Sequence, residues 1–258
     1  MNTLGASFSI LKNPAIIQFI LKGVAFTVVV SVIAVVIGIL FGSVLALVRN
    51  YCTGKTRVFK WLATAYIEIF RNTPLLLWIF ICVVFCPTPR LLNKPMFTLT
   101  SVEVGLLFKA CVALVLFTSS VIAEIVRGGL NAVAHGQFEA GHSQGFNTVQ
   151  IMAYIVLPQA YRSVIPTLLG QCITTIKDSS YLANVAVIEL MSRVKKILSA
   201  ANVYNGTGQI NVSDVFVLFG TAFAIYFIIN FILSCTVRYL QKRSKRNKQV
   251  TVEMLTTE

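Results

Sequence analysis

Two runs of the chain carry no charge for longer than a bilayer is thick: Gly23 to Val48, 26 residues, and Val215 to Val237, 23 residues. A helix rising ~1.5 Å per residue crosses ~30 Å of hydrocarbon in about 20 apolar residues. In lipid the backbone must satisfy its own hydrogen bonds, which here means a helix for each run. Three further apolar stretches of similar length, Trp61 to Cys86, Val104 to Val126 and Val164 to Leu190, contain ionisable residues. The sequence therefore predicts an all-α integral membrane protein with five transmembrane helices. The spans fall at 23–48, 61–86, 104–126, 164–190 and 215–237 of a transmembrane domain over 23–237. A mean hydropathy of +0.79 with only 12% charged residues excludes a soluble domain with one core. Segment 1–22 is apolar but interrupted by Asn13-Pro14, which predicts an interfacial segment. It has no basic stretch ahead of a short apolar core, so no cleaved leader is expected.

Orientation follows from the basic residues. With the C-terminus inside, the inner segments hold twelve Lys and Arg and the outer ones seven, three lying within spans. That bias predicts an outside N-terminus, an inside C-terminus and a basic cytoplasmic tail over 238–258. The cluster Arg193 to Lys196 pulls the other way. A net charge of +13 would point to nucleic acid in a soluble chain, but here it is topological, and no nucleic acid is expected. The six cysteines are scattered and lack paired ligand spacing, and His135 and His142 have no ligand set beside them, so no metal is expected. Asn205-Gly206-Thr207-Gly208 lacks the lysine of a phosphate loop. The chain is therefore not expected to hydrolyse ATP, and no catalytic residue is visible.

The polar segment 127–163 between the third and fourth spans is the most informative part. It reads Glu139-Ala140-Gly141-His142-Ser143-Gln144-Gly145, and ten residues after that glycine comes Ile155-Val156-Leu157-Pro158. The helix-compatible run 137–144, with glycines at 136, 141 and 145 and a terminating Pro158, predicts a short helix held by turns, Gly145 permitting a tight turn or close approach. A solvated amphipathic loop would use the same residue types. The spacing is what distinguishes this one: it resembles the EAA loop of ABC-importer permeases, Glu-Ala-Ala-x-x-x-Gly and then Ile-x-Leu-Pro. The single departure is Gly141, where the family usually has Ala. Phe70-Arg71-Asn72-Thr73-Pro74-Leu75-Leu76 is similar to the Phe-Arg-Gly-Thr-Pro-Leu-Leu signature of polar amino-acid permeases, with Asn72 in place of Gly. Ala123 to Leu130, Leu157 to Pro166 and Ile176-Lys177-Asp178-Ser179-Ser180 resemble three more family segments.

The resemblance implies a type I ABC importer permease of the histidine/glutamine/glutamate kind, a transporter subunit and not an enzyme, in a bacterial inner membrane. It implies a second permease chain, identical or similar, and two ATP-binding subunits that hold the ATP and Mg, with no cofactor in this chain. It also implies an extracytoplasmic binding protein and a small polar amino acid as cargo, glutamine, glutamate or a basic amino acid. Glu139, Ala140, Gly141, Gly145, Ile155, Leu157 and Pro158 are the expected coupling residues, through which closure of the ATPase would move the spans.

Charges inside a span cost a few kcal/mol and normally face a partner or a water-filled path. Glu68 and Arg71 are three apart and can pair on one helix face just before Pro74 disrupts the backbone. Asn72, Thr73, Pro74, Glu68, Arg71, Lys177, Asp178, Ser179 and Ser180 are therefore the candidate path residues. Asp178 can take the ammonium of an amino acid while Asn72, Thr73, Ser179 or Ser180 donate to its carboxylate. Alternatively these groups act as structural locks, pairing with one another or across a subunit interface. Lys109 and Glu124 lie closer to span ends and are expected to snorkel. A stand-alone secondary transporter would show repeated halves, which five spans do not offer. An intramembrane enzyme would need a catalytic set within a span, and none is visible.

Overall fold

A computed structural model describes residues 3–92, 94–96, 99–206 and 208–256, with side chains given for 5–242 within these except 240. Residues 257 and 258 of the tail lie outside the described residues. The elements are helical throughout: α1 (Thr3–Ile10), α2 (Pro14–Tyr51), α3 (Arg57–Arg71), α4 (Leu75–Phe85), α5 (Ser101–Asn131), α6 (Gly136–Ser143), the single turn α7 (Thr148–Gln150), α8 (Leu157–Asp178), α9 (Leu190–Ser199), α10 (Ala201–Tyr204) and α11 (Val212–Thr256). Among the described residues the sole β pairing is an isolated bridge between Met96 and Leu99.

Asn13-Pro14 interrupts the N-terminal segment, between α1 and α2, and at the same time starts the second helix. The Asn13 side chain accepts from the Ala15 N–H at 3.0 Å, and Pro14 fills the first turn, where a missing N–H costs nothing. Residues 14–22 therefore belong to the same continuous 38-residue helix as the first uncharged run, and α1 alone is separate. The stretch 61–86 is divided between α3 and α4, whose axes meet at 110°. Pro74 has no N–H to continue the α3 ladder, so the helix stops at Arg71 and restarts at Leu75. The stretch 164–190 is not one helix either: α8 ends at Asp178, Ser179 to Val185 tighten into a 3-10 helix, and Ala186 turns left-handed at φ 57°. Ser179 reinforces the stop by donating its hydroxyl to the Ile176 carbonyl at 2.8 Å.

Among the described residues three helices are long and apolar enough to cross a membrane: α2, α5 and the Val212–Tyr239 part of α11. The bent pair α3 and α4 makes a fourth crossing if taken as one broken span. α8, with 22 residues, carries Arg162, Lys177 and Asp178.

α2 lies along α5 over more of its length than any other pair. The approach is close because Gly38 and Gly42 face Thr118, Ser119, Ile122 and Ala123. A Cβ at Gly42 would lie 2.6 Å from the Ser119 carbonyl oxygen. Small residues four apart let helix backbones touch in lipid, where apolar burial supplies little drive. Val30 and Ala34 of α2, Ile79 and Cys82 of α4, and Ala110 and Leu114 of α5 complete this core, joined by Leu182 and Val187 after α8. The bend before α4 is braced by rings: Phe70 stacks on Trp78 at 4.0 Å, and Tyr66 lies tilted against Phe70 at 4.6 Å. The Trp78 indole donates to the Thr73 hydroxyl at 2.7 Å, and that hydroxyl donates to the Ile69 carbonyl at 2.6 Å.

Candidate functional site

The polar segment folds as a short helix anchored on one side and free on the other. α6 ends on a two-bond cap: the Gly145 N–H donates to the His142 carbonyl at 2.9 Å and the Phe146 N–H to the Gly141 carbonyl at 3.1 Å. This cap requires a left-handed residue after the helix, and Gly145 supplies it at φ 82°. Gly141 is buried, and a Cβ there would lie 2.7 Å from Ile151 Cγ1. The glycine that departs from the usual alanine thus makes room for Ile151. Ile151, Val156 and Ala160 are buried against Ala46 of α2 and Ile122, Val126 and Leu130 of α5, with Ile155, Leu157 and Phe138 half-buried beside them. On the opposite face Glu139 is exposed, its carboxylate 3.3 Å from His135 Nδ1. Ala140 is exposed next to it.

The exit from this segment has an unusual register. Asn147 and Gln150 cap α7 reciprocally, at 2.8 and 2.9 Å, and residues Ile151–Val156 then form a π-helix. The Leu157 N–H reaches back five residues to the Met152 carbonyl. Pro158 has no N–H and its ring crowds the carbonyl four residues back, so the turn widens ahead of it.

A cluster of five charges sits toward the loop end of the bundle. Glu124 stands 23 residues after Ser101 (124 minus 101), ~35 Å along α5. It accepts from Arg127 at 2.5 Å and Arg49 at 3.0 Å, with Arg71 at 3.6 Å. Glu68 takes Arg49 at 2.8 Å and accepts from the Asn72 amide at 3.2 Å. Glu68 and Arg71 therefore do not pair with each other, as their spacing allowed. Each finds an oppositely charged group on another helix, Arg49 of α2 and Glu124 of α5. Glu124 does not snorkel: it joins α2, α3 and α5 through three arginines. Lys109 is likewise committed, donating to the Val83 carbonyl in the last turn of α4 at 2.9 Å, where a cation is favoured.

Beside the break before α4 lies a cavity of about 300 Å³ lined by Thr73, Pro74, Leu75, Leu76, Phe117, Asp178 and Tyr181. It brings together two of the sequence-predicted segments, about a hundred residues apart. Asp178 is half-buried and forms no hydrogen bond or ion pair among the described residues, and Lys177, on the exposed side of α8, lies beyond salt-bridge distance of it. Asp178 is thus an acceptor left open toward the cavity. Thr73 contributes an hydroxyl oxygen already engaged by Ile69 and Trp78. Ser179 is buried and turned to its own helix, Ser180 is half-buried outside the cavity wall, and Asn72 is drawn to Glu68. Sequence reasoning missed Phe117 and Tyr181, whose only signal was an aromatic ring within an apolar run. It also missed Arg49 and Arg127 as partners, having read them as topological charges.

Three kinds of comparison bear on this arrangement. The family model described as binding-protein-dependent transport system inner membrane component matches residues 38–246. Among curated proteins, the probable glutamine ABC transporter permease protein GlnM of Bacillus subtilis is 36% identical over 217 residues, 81% of this chain and 90% of that one. The glutamate/aspartate import permease protein GltK of Escherichia coli is 30% identical over 231 residues, 88% of this chain and 94% of that one. The arginine transport system permease protein ArtQ of Bacillus subtilis is 29% identical over 90% of this chain and 94% of its own length. Among solved structures, a chain from the crystal structure of an amino acid ABC transporter with histidines superposes with a TM-score of 0.67 at 26% identity, covering 88% of this chain and 94% of that one. A chain of the inward-facing MetNI methionine ABC transporter, at 16% identity and a TM-score of 0.68 over 90% of this chain and 99% of that one, shares the fold.

Proposed function

The chain belongs to the family of binding-protein-dependent transport system inner membrane components, and from that premise we propose that it is the permease subunit of an ATP-driven importer of polar amino acids. Glutamine, glutamate or a basic amino acid is the cargo class, in keeping with what the relatives GlnM, GltK and ArtQ are named for. In this reading the chain crosses the membrane five times, with the bent pair α3 and α4 as the second crossing and α8 as the fourth. The N-terminus lies outside and the C-terminus inside, and the loop helix α6 faces the cytoplasm. The chain pairs with a second permease, identical or similar. Two ATP-binding subunits hold ATP and Mg, and an extracytoplasmic binding protein delivers the amino acid.

The observation that carries the reading is the two-faced build of α6. Glu139 and Ala140 are exposed while the other face is packed, through Gly141 and Ile151, onto the ends of α2, α5 and α8. A subunit that grips the free face moves the packed face as a rigid body, since close-packed cores shift between arrangements rather than deform. Glu139 is the docking charge, Gly145 fixes where the helix ends, and Ile155, Leu157 and Pro158 join the handle to α8. α8 carries Asp178 at its far end, so movement of the handle reaches the cavity. There Asp178 takes the ammonium of the passing amino acid, and the break at Asn72 to Pro74 lets polar groups approach the path. Glu68, Arg71, Lys177 and Ser180 line its approaches, and the buried Ser179 holds the turn at the end of α8.

Purification of the tagged full chain in mild detergent, with mass spectrometry of what accompanies it, tests the assembly. Two ATPase subunits per two permease chains are expected. Reconstituted with its ATPase and binding protein, the complex should accumulate one of the three amino-acid classes only with ATP, and Asp178→Asn should lower uptake while leaving the complex intact. A chain that purifies without an ATPase and drives uptake from an ion gradient would overturn the reading.

A further inference from the structure

We propose that the cleft between the start of α2, the start of α5 and α9 binds one anionic glycerophospholipid, with its phosphate held by Lys22, Arg193 and Lys196 and an acyl chain lying in the groove between α2 and α5. Two separate features meet here. The first is a polar cleft of about 260 Å³ whose charged walls are Lys22, Glu103, Arg193 and Lys196. The second is an apolar groove of about 580 Å³ running past Phe26, Val30, Ile33 and Ile37 on α2. Leu99 borders both, so the two lie next to each other.

Arg193 is the built part of the cleft. It is 4% exposed, donates Nη1 to the Phe19 carbonyl at 3.0 Å, and sits 4.3 Å from the centre of the Phe19 ring. Its Nε is buried and without a hydrogen-bond partner among the described residues. Glu103 is the one acidic wall, and its carboxylate is occupied at the cap of α5, accepting from the Thr100 N–H at 2.9 Å. Three cations against one carboxylate leave the cleft net positive, which suits a phosphate.

The depth fits as well. Lys22 immediately precedes the uncharged run and Glu103 lies in the first turn of α5, so both mark the polar boundary. From Phe26 to Ile37 is 11 residues, ~17 Å along a helix, about half of a ~30 Å hydrocarbon layer and thus one leaflet. Basic pockets between transmembrane helices bind anionic head groups on the cytoplasmic side of membranes, and in the topology proposed above this cleft would do so in the outer leaflet. The site also accounts for the basic cluster at 193–196, which runs against the charge bias of the rest of the sequence. This inference requires membrane insertion but not the cargo or the coupling proposed above.

Native mass spectrometry of the delipidated full chain, titrated with palmitoyl-oleoyl phosphatidylglycerol, the matching phosphatidylcholine and inorganic phosphate, tests it. The glycerol lipid should bind about tenfold or more tightly than the choline lipid. Lys22→Gln with Lys196→Gln should remove most of that preference, and Lys22→Arg with Lys196→Arg should keep it. Val29→Trp, in the groove wall, should weaken both lipids. Equal binding of the two lipids, or a preference that survives both glutamines, would overturn the proposal. So would inorganic phosphate displacing the glycerol lipid at equal concentration, since the cleft would then be a site for a free anion.

Discussion

Gly145→Ala isolates the C-cap of the loop helix from everything else in the segment. At φ 82° an alanine Cβ crowds its own backbone, costing about 1–2 kcal/mol. Nothing lies within 4 Å of the added Cβ, so no packing clash contributes. The chain either bears that strain or gives up the two capping bonds at 2.9 and 3.1 Å, each worth about 0.5–1.5 kcal/mol net. Both routes give a similar figure, and at 1.4 kcal/mol per factor of ten the cap should open roughly 5–30 times more often. Hydrogen exchange over residues 141–151 should speed by that factor, while amides in α2 and α5 stay unchanged. Gly145→Asn, a residue that tolerates the left-handed region, should fall between alanine and wild type. Gly136→Ala, where no positive φ is needed and the space is open, should be silent. In the reconstituted complex Gly145→Ala should lower ATP-driven uptake more than ATPase association. Exchange as slow in Gly145→Ala as in Gly136→Ala would refute the capping argument.

Three further outcomes are expected. Glu139→Arg should weaken association with the ATPase and leave insertion and thermal stability unchanged, checked by co-purification yield, since the side chain is exposed and touches only His135. Glu124→Gln leaves three arginines facing Glu68 alone, and with a half-exposed cluster the loss should be about 1–3 kcal/mol. A lower thermal midpoint that added salt partly restores is the expected sign, and a midpoint indifferent to salt would count against the cluster. Gly42→Ala meets the Ser119 carbonyl oxygen at 2.6 Å and should destabilise by about 1–3 kcal/mol, while Gly220→Ala, in open space, should not.

What the sequence made legible was whatever depends on local spacing. The helix expected over 137–144 lies at 136–143, and the break expected at Pro74 is there, because caps and prolines act on their own neighbours. The long uncharged runs likewise appear within α2 and α11. Partners across helices were harder to foresee. Glu68 and Arg71 are spaced to pair, yet Arg49 and Glu124 compete for them and win, since a residue three positions away is only one of the charges a folded bundle brings near. Asn13-Pro14 interrupts the apolar N-terminal segment as expected, and the same pair also begins α2, because the Asn13 side chain caps the Ala15 N–H. The cavity at Asp178 was half visible, as a list of polar residues in two distant segments. Its aromatic wall was not, because Phe117 and Tyr181 look in sequence like any apolar filling.

The π-helix at Ile151–Val156 has the bookkeeping of an insertion: one residue more than a regular helix would use for the same stretch. Each residue of an α-helix turns the chain by about 100°, so deleting one there, with the ladder regularised, would swing everything upstream about a quarter turn around the α8 axis. The compass bearing of Glu139 is therefore set by a single residue's worth of backbone. A permease of this family that lost that residue would present its loop helix to a different quarter of its ATPase, and the two subunits would have to change together.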